Sequence, residues 1–437
     1  MDLTQLPALV AYLAERHRVP GAQLVVRRGE ELRTTEFGVE TVGSRRAVVA
    51  DSAFPLGSLT KPFTATLAML LVADGDIDLD DTLPGLTLPG VTLRRVLAHT
   101  GGLVSSVTVD NVESGSRTRW LAVDRTANAL ANPPGTAFSY SNLGYLLIGH
   151  LIEEHTGMPW WEAVTDILLR PDGIRPAFVV GPADQRTDRN PITGHAVRAS
   201  GGSPLPIADQ PLPLVEEPAG ALALSAADLV AFASAHLPGA HSPIGERTAR
   251  WMREDQTEGL RVGPFGMADG WSLGWSIYSR GGHTWYGHDG TGGGTSCHLR
   301  FHPDSATAIG FTANANTGLA MWEELVEELR KAGLDVGSHS YSTLPDPGAP
   351  VPAPPECLGR YVNGDTEFVL DTAADGELRL CVGGAPYARL TCYDGLLFTM
   401  REIDGGGMVH TGRFVPGEDS ETVVALQISG RLARRHG

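Results

Sequence analysis

A serine and a lysine three residues apart are the first residues in this sequence that could carry out chemistry together. Ser58 and Lys61 lie in "PLGSLTKPF", and Lys61 is one of only two lysines, since 32 of the 34 basic residues are arginine. A buried lysine can lose its proton and act as a base, whereas arginine cannot. Side chains at i and i+3 share a helix face. The pair predicts a serine nucleophile with a lysine base; the alternative is chance, because Ser-x-x-Lys is a short pattern.

Two further segments hold side chains that would complete such a site. Tyr140 and Asn142 lie in "SYSNLGY", and His288 lies in the glycine-rich "GHDGTGGG". Taken singly, each residue has an ordinary structural explanation: a packed tyrosine, an asparagine in a turn or cap, and a structural histidine. Their combination with Ser58 and Lys61 favours one catalytic site.

The surrounding elements must bring distant parts of the chain together. "LTKPFTATLAMLLVADG" has helical spacing and ends at Gly75, which places Ser58 at a helix N-terminus, where backbone N–H groups favour an anion. "AQLVVRRGEELRTTEFGVE" predicts a hairpin, "TWYGHDGTGGGTSCHLRFHP" and "TAIGFTANAN" predict strands, and "AMWEELVEELRKAG" predicts a closing helix. Strands on both sides of a helical middle predict a mixed α/β (α+β) fold with one shared sheet.

Together these segments resemble the serine β-lactamase and penicillin-binding-protein superfamily, in the branch of class C β-lactamases, D-aminopeptidases and esterases. They also resemble the penicillin-binding-protein-type thioesterases. The resemblance covers roughly residues 5 to 335 and includes "LAHTGGL" and "PPGTAFSYSNLGY". It implies a β-lactamase/transpeptidase-like fold with an antiparallel sheet and a helical subdomain.

The resemblance also implies roles for the residues already singled out. Ser58 would form the acyl-enzyme, and either Lys61 or Tyr140 would be its base. Asn142 would hold Lys61 or a substrate amide.

The strand that carries His288 is implied to supply the oxyanion hole. The backbone N–H groups of Ser58 and of Thr291, next to Gly290, would stabilise the oxyanion. Many superfamily members have Lys-Thr-Gly where this chain has His288-Asp289-Gly290, and that lysine helps to bind a substrate carboxylate. Because histidine is mostly neutral near pH 7 and Asp289 adds a negative charge, we do not expect strong selection for a free carboxylate.

Composition excludes several classes of function. The net charge of −17 argues against nucleic-acid binding and against an anionic membrane surface. The first residues, "MDLTQLPALVAYLAERHRVPG", are typical of an amphipathic helix and not of a signal peptide, so we expect a cytoplasmic location. The four cysteines match no metal or redox spacing, which predicts free thiols, with one disulfide in the tail as the alternative. No cofactor or metal is expected.

The chain divides by composition after the predicted catalytic domain. We expect a β-lactamase-like catalytic domain over 1–338, a proline-rich linker over 339–356 and a small all-β domain over 357–437. This last domain is expected to be a cap on or near the cleft, with a lipocalin-like barrel as one form; a passive appendage is the alternative.

The expected function is a serine acyl-enzyme hydrolase or acyltransferase that acts on peptide esters or thioesters. The specific hypothesis is a stand-alone thioesterase, in which a D-residue of a nonribosomal peptide acylates Ser58 and the peptide's own amine then closes a macrocycle. The expected partner is a peptidyl substrate, in one form carried on a peptidyl carrier protein. The alternatives are an esterase, a D-aminopeptidase or β-lactamase-type hydrolase, and an inactive penicillin-binding sensor module.

Overall fold

The computed structural model describes residues 3–83, 88–106, 117–122, 129–179, 189–198, 201–207, 212–239, 244–263, 267–344, 346–373, 376–403, 409–417 and 422–436. The helices in these ranges are α1 (Leu6–His17), α2 (Lys61–Asp74), α3 (Leu93–Leu97), α4 (Arg117–Ala122), α5 (Asn142–Thr156), α6 (Trp160–Ala163), α7 (Glu217–Gly220), α8 (Ala226–Ser234), α9 (Gly245–Trp251) and α10 (Gly318–Lys331).

The strands fall into two groups along the chain. The first group is β1 (Gly21–Arg28), β2 (Glu31–Gly38), β3 (Phe54–Pro55), β4 (Ala177–Phe178), β5 (Gly194–Ala196), β6 (Leu205–Ile207), β7 (Leu222–Leu224), β8 (Gly270–Trp271), β9 (Ser276–Arg280), β10 (His283–Gly292), β11 (Thr295–His302) and β12 (Thr307–Ala313). The second group is β13 (Gly359–Asn363), β14 (Thr366–Thr372), β15 (Leu378–Val382), β16 (Ala385–Tyr393), β17 (Leu397–Glu402), β18 (Val409–Pro416), β19 (Val423–Ile428) and β20 (Arg431–His436).

The central sheet joins the two ends of the first group, as the sequence predicts. Its order is β2-β1-β12-β11-β10-β9-β8, and each neighbouring pair is antiparallel. Side chains alternate between the two faces of a strand. In β1, Leu24 and Val26 therefore pack in the core that includes residues of α1 and α10, whereas Val25 packs in the core that includes residues of α2, α5 and α8. Helices thus cover both faces of the sheet.

Helix α2 forms where its sequence predicts it. Pro62 lies in the first turn, where a missing N–H costs nothing, and Gly75 ends the helix in the left-handed conformation at φ 82°. Ser58 does not lie inside the helix; it belongs to a 3₁₀ turn, Gly57–Thr60, that leads into it. Because Pro62 has no N–H for the carbonyl of Ser58, the N–H of Lys61 donates to that carbonyl instead.

The second group of strands closes into an antiparallel barrel of eight strands. The sequence patterns "EFVLDT", "ELRLCV", "LLFTM", "HTGRFV" and "TVVALQI" predict five of these strands, and the structure confirms an all-β tail. β13, β16 and β20 have weaker apolar alternation and are not predicted. Val351 in the proline-rich segment bridges to Cys392 of β16, so this segment runs against the barrel.

The barrel is bonded directly to the segment that carries Tyr140. The backbone N–H of Tyr140 donates to the carbonyl of Gly430, in the turn between β19 and β20, at 2.8 Å. The side-chain amide of the buried Gln427 donates to the carbonyl of Phe138 at 2.9 Å. The barrel is therefore placed at the site that the sequence motifs predict.

Two further predictions concern the whole chain. All four cysteines are buried and free, which confirms the prediction of free thiols. No helix in the described ranges is long and apolar enough to cross a bilayer.

Candidate active site

The predicted pair of Ser58 and Lys61 is joined by a hydrogen bond. Lys61 Nζ lies 3.1 Å from Ser58 Oγ and donates to the carbonyl of Ala219 at 2.9 Å. Lys61 is fully buried, whereas Ser58 is partly exposed. Burial, followed by the positive charge of Arg431, lowers the pKa of Lys61 well below its ordinary value. The arrangement therefore favours a neutral amine beside the serine hydroxyl.

Tyr140 lies against this pair with its hydroxyl buried. Lys61 Nζ is 5.1 Å from the centre of the Tyr140 ring. The Tyr140 hydroxyl is buried and lies beside Ser58. Burial raises the pKa of Tyr140, and Ser58 and Arg431 oppose that rise only in part. Tyr140 is therefore a protonated phenol near pH 7 that can donate a proton, whereas the neutral amine of Lys61 can accept one.

His99 positions the tyrosine segment, a role that sequence reasoning missed. The carbonyl of His99 accepts from the N–H of Ser139 at 2.9 Å, and its ring Nδ1 accepts from the N–H of Ser141 at 3.2 Å. Its ring centre lies 4.2 Å from that of Tyr140. Within "LAHTGGL" the sequence indicates only a packing or capping residue, because nothing in it relates His99 to a loop some 40 residues away.

Two glycines bring β10 against the serine turn. A Cβ on Gly290 would lie 2.0 Å from the carbonyl oxygen of Leu56, and a Cβ on Gly57 would lie 2.1 Å from that of Thr291. Only glycine fits such close backbone contacts. Gly290, Thr291 and Ser58 line one cleft of about 250 Å³.

His288 also lines this cleft, and it is neutral. Its Nδ1 lies 2.7 Å from the carbonyl oxygen of Asp289, so this nitrogen carries the proton and donates. Its Nε2 is buried and has no partner in the described part of the chain. Burial, and then the charge of Lys61, lowers the pKa of His288 to about 3. The histidine therefore offers the cleft a hydrogen-bond acceptor and no positive charge.

Asp289 does not act on the cleft as the sequence suggests. Arg300 contacts both of its carboxylate oxygens, at 2.6 and 2.8 Å, and His298 Nδ1 and the Tyr341 hydroxyl each lie 2.7 Å from it. Although burial opposes it, the positive charge of Arg300 holds the pKa of Asp289 well below its usual range. The sequence predicts that Asp289 adds a free negative charge to the cleft. This prediction is wrong, because the buried Arg300 pairs with the carboxylate and neutralises its charge.

Asn142 lies beside the cleft and not inside it. Its backbone N–H donates to the carbonyl of Ser105 at 2.7 Å at the start of α5. Its side chain lines a separate cavity in the barrel, and its Oδ1 has no partner among the described residues. The second contact of Lys61 is the carbonyl of Ala219, where the sequence suggested Asn142.

Arg431 is the residue that the sequence motifs did not reveal. It begins β20 of the barrel, yet it lines the Ser58 cleft. Its Nε donates to Ser105 Oγ at 2.8 Å, and its guanidinium carbon lies 5.1 Å from the centre of the Tyr140 ring. The cleft thus has an arginine from the second group of strands, although it has no lysine at the Lys-Thr-Gly position. No local pattern in "ISGRLARRHG" distinguishes this arginine from its neighbours.

The layered sheet and the Ser-x-x-Lys pair at the start of a buried helix define the class of serine hydrolases with a lysine beside the nucleophile. The Beta-lactamase family model matches residues 6–333. The chain belongs to the β-lactamase family, whose members with this fold are serine hydrolases.

Several known proteins are similar to this chain. Penicillin-binding protein 4 of Amycolatopsis lactamdurans is 34% identical over 335 residues, which are 72% of this chain and 86% of that protein. The crystal structure of SurE superposes with a TM-score of 0.86 at 40% identity over 99% of both chains, and SurE with D-Leu does so with a TM-score of 0.85 at 39% identity. The D-amino acid amidase of Ochrobactrum anthropi SV3, at 20% identity and a TM-score of 0.61, shares the fold over 76% of this chain and 100% of its own.

Proposed function

We propose that this protein is a thioesterase that releases and macrocyclises a nonribosomal peptide through an acyl-enzyme on Ser58. The observation that carries the proposal is the composition of the Ser58 cleft. His410, Ser429 and Arg431 of the C-terminal barrel line it together with Ser58 and residues of β10. A cleft wall supplied by the barrel suits transfer of an acyl group to a bound amine, because it can limit access of water to the ester.

The first step is acylation of Ser58. The neutral Lys61 amine takes the proton of the Ser58 hydroxyl, and Oγ attacks the thioester carbonyl. Backbone N–H groups at Ser58 and Thr291 would stabilise the oxyanion. The C–S bond breaks, and the leaving thiolate takes the proton back from Lys61, directly or through the Tyr140 hydroxyl. A thioester is activated, so this step demands less of the base than amide cleavage does.

The second step is attack by the peptide's N-terminal amine. Its nitrogen forms the amide bond as the ester bond to Ser58 breaks, and the proton lost by the amine returns to Ser58 Oγ through Lys61 or Tyr140. An intramolecular amine held close to the ester has a large effective concentration. Water in place of the amine would give the linear acid, the product of the hydrolase alternatives.

Two features support the substrate class. The likeness to SurE extends over 99% of the chain and includes the barrel, and one of the SurE structures contains D-Leu, which supports a D-configured residue at the acylating end. The neutral His288 places a hydrogen-bond acceptor, Nε2, where many members of the superfamily have the carboxylate-binding lysine, which suits a peptide N–H group. A peptidyl carrier protein is the proposed thioester donor.

The test uses a matched pair of peptide thioesters that differ only in the configuration of the C-terminal residue. Chromatography with mass detection separates cyclic amide from linear acid. We expect mainly cyclic product from the D-epimer and at least tenfold slower turnover of the L-epimer. Only linear acid, or equal use of both epimers, would contradict the proposal. Ser58→Ala is the control for spontaneous hydrolysis.

A further inference from the structure

The C-terminal barrel contains a cavity of about 480 Å³ that adjoins the active site. Three residues, His410, Ser429 and Arg431, line both this barrel cavity and the Ser58 cleft. From the other side, Ser105 and Asn142 of the catalytic domain also line it. A volume of this size is within the range of small-molecule sites. The barrel cavity therefore lies within reach of a group attached to Ser58.

The wall of the barrel cavity is mainly apolar. Leu380 and Val382 occupy alternate positions of β15, and Leu426 and Ile428 occupy alternate positions of β19, as inward-facing residues of a barrel do. Phe368 of β14 and Met400 of β17 complete this apolar wall. Other inward-facing side chains of the barrel pack together in a buried cluster. Such a wall favours a branched or aromatic side chain and disfavours water.

Hydrogen-bonding side chains also line the barrel cavity, and two of them contact Glu402 behind the wall. Glu402 accepts from the Tyr387 hydroxyl at 2.6 Å and lies 3.0 Å from His410 Nε2. Tyr387 and His410 line the cavity itself. The side-chain Oδ1 of Asn142 is buried without a partner in the described residues, and it can accept from an N–H group. These groups suit an amine and a peptide N–H.

We propose that the barrel cavity binds the acceptor end of the peptide, with the apolar side chain of its amine-bearing residue held against Val382 and its neighbours. This inference rests on the proposed function, and it identifies where the attacking amine is held. Arg431 and Ser429 line both the barrel cavity and the Ser58 cleft, so they lie between the bound acceptor end and the ester on Ser58. A peptide whose two ends occupy the cleft and the barrel cavity is already folded for ring closure.

The test compares the same substitution inside and outside the barrel. Val382→Phe reduces the space of the cavity, whereas Val424→Phe lies on the outer face, where the valine is 45% exposed. With a D-ended peptide thioester that begins with leucine, we expect Val382→Phe to lower the ratio of cyclic to linear product at least fivefold and Val424→Phe to leave it within twofold. With a peptide that begins with glycine, the difference should shrink. Equal ratios for both variants would overturn the proposal.

A binding measurement separates this inference from the proposed function. Titration calorimetry with leucyl-alanine amide should show binding to the wild type and to Val424→Phe, and at least tenfold weaker binding to Val382→Phe. Binding that follows this pattern in an enzyme that makes only linear acid keeps the site and rejects the cyclase. No binding, or equal binding to all three proteins, rejects the site. Val382→Thr, which has the same shape, provides the polar variant if Val382→Phe does not fold.

Discussion

Replacement of Arg431 by glutamine should weaken the base at Ser58, although the arginine lies in the C-terminal barrel. Lys61 Nζ and the Arg431 guanidinium carbon each lie 5.1 Å from the centre of the Tyr140 ring, so they are at most about 10 Å apart. At an effective dielectric constant of about 20, two unit charges at that distance repel by roughly 1.7 kcal/mol. This repulsion disfavours the protonated lysine, as does its burial.

The sign of the effect follows from that charge. Loss of the cation favours protonated Lys61 and raises its pKa, so less neutral amine is present at a fixed neutral pH. A free energy of about 1.4 kcal/mol corresponds to about one pKa unit, so we expect the pH at which Ser58 acylation by a fluorophosphonate reaches half its maximal rate to rise by roughly one unit. The rate should return toward that of the wild type as the pH rises, since deprotonation restores the base.

The control is the same substitution three residues further along β20, Arg434→Gln, at an exposed position. It removes the same formal charge from the barrel, and we expect its pH profile to match that of the wild type. The assay is the rate of fluorophosphonate labelling by intact mass between pH 6 and 10. A loss for Arg431→Gln that is equal at every pH would show that Arg431 only holds the two domains together, and no loss would refute the electrostatic reasoning.

Three further outcomes are expected. Lys61→Arg should abolish acylation although it keeps the charge, because arginine cannot accept the proton of Ser58; labelling within tenfold of the wild type would make Lys61 a counter-ion. Tyr140→Phe should lower turnover about 10²-fold or more, because it removes the hydroxyl beside Ser58 that can relay the proton, and turnover within tenfold of the wild type would contradict this. Burial lowers the pKa of His236 from 6.5 to about 3, so as the pH drops through this window the unfolded state takes up the proton first and the folded state loses stability. His236→Phe should therefore reduce the slope of the unfolding free energy against pH by up to about 1.4 kcal/mol per pH unit. An unchanged slope would contradict this reasoning.

Local patterns predicted those parts of the fold that depend on near neighbours along the chain. Pro62 and Gly75 mark the ends of α2 through their own backbone preferences, and the alternation in β1 and β12 predicts strands that share the central sheet. The pairing of Ser58 with Lys61 follows from helical spacing alone. These features needed no knowledge of the rest of the molecule.

The parts that could not be predicted depend on contacts across the whole chain. Arg431 reaches the cleft only because the barrel packs against the Tyr140 segment, some 290 residues earlier. The partner of Asp289 is Arg300 on the neighbouring strand, and a charge in the sequence does not reveal that it is neutralised. Asn142 has the spacing of an active-site residue, yet it begins α5 and lines the barrel cavity instead of the Ser58 cleft.

The central claim is that a peptidyl group passes through an ester on Ser58 before the ring closes. The most direct measurement is intact-protein mass spectrometry during a single turnover with a D-ended peptide thioester, followed by peptide mapping of the adduct. We expect one peptidyl adduct on Ser58 that forms as the thiol is released, decays as the cyclic peptide appears, and is absent in Ser58→Ala. Cyclic product without an adduct, or an adduct on any other residue, would contradict the account.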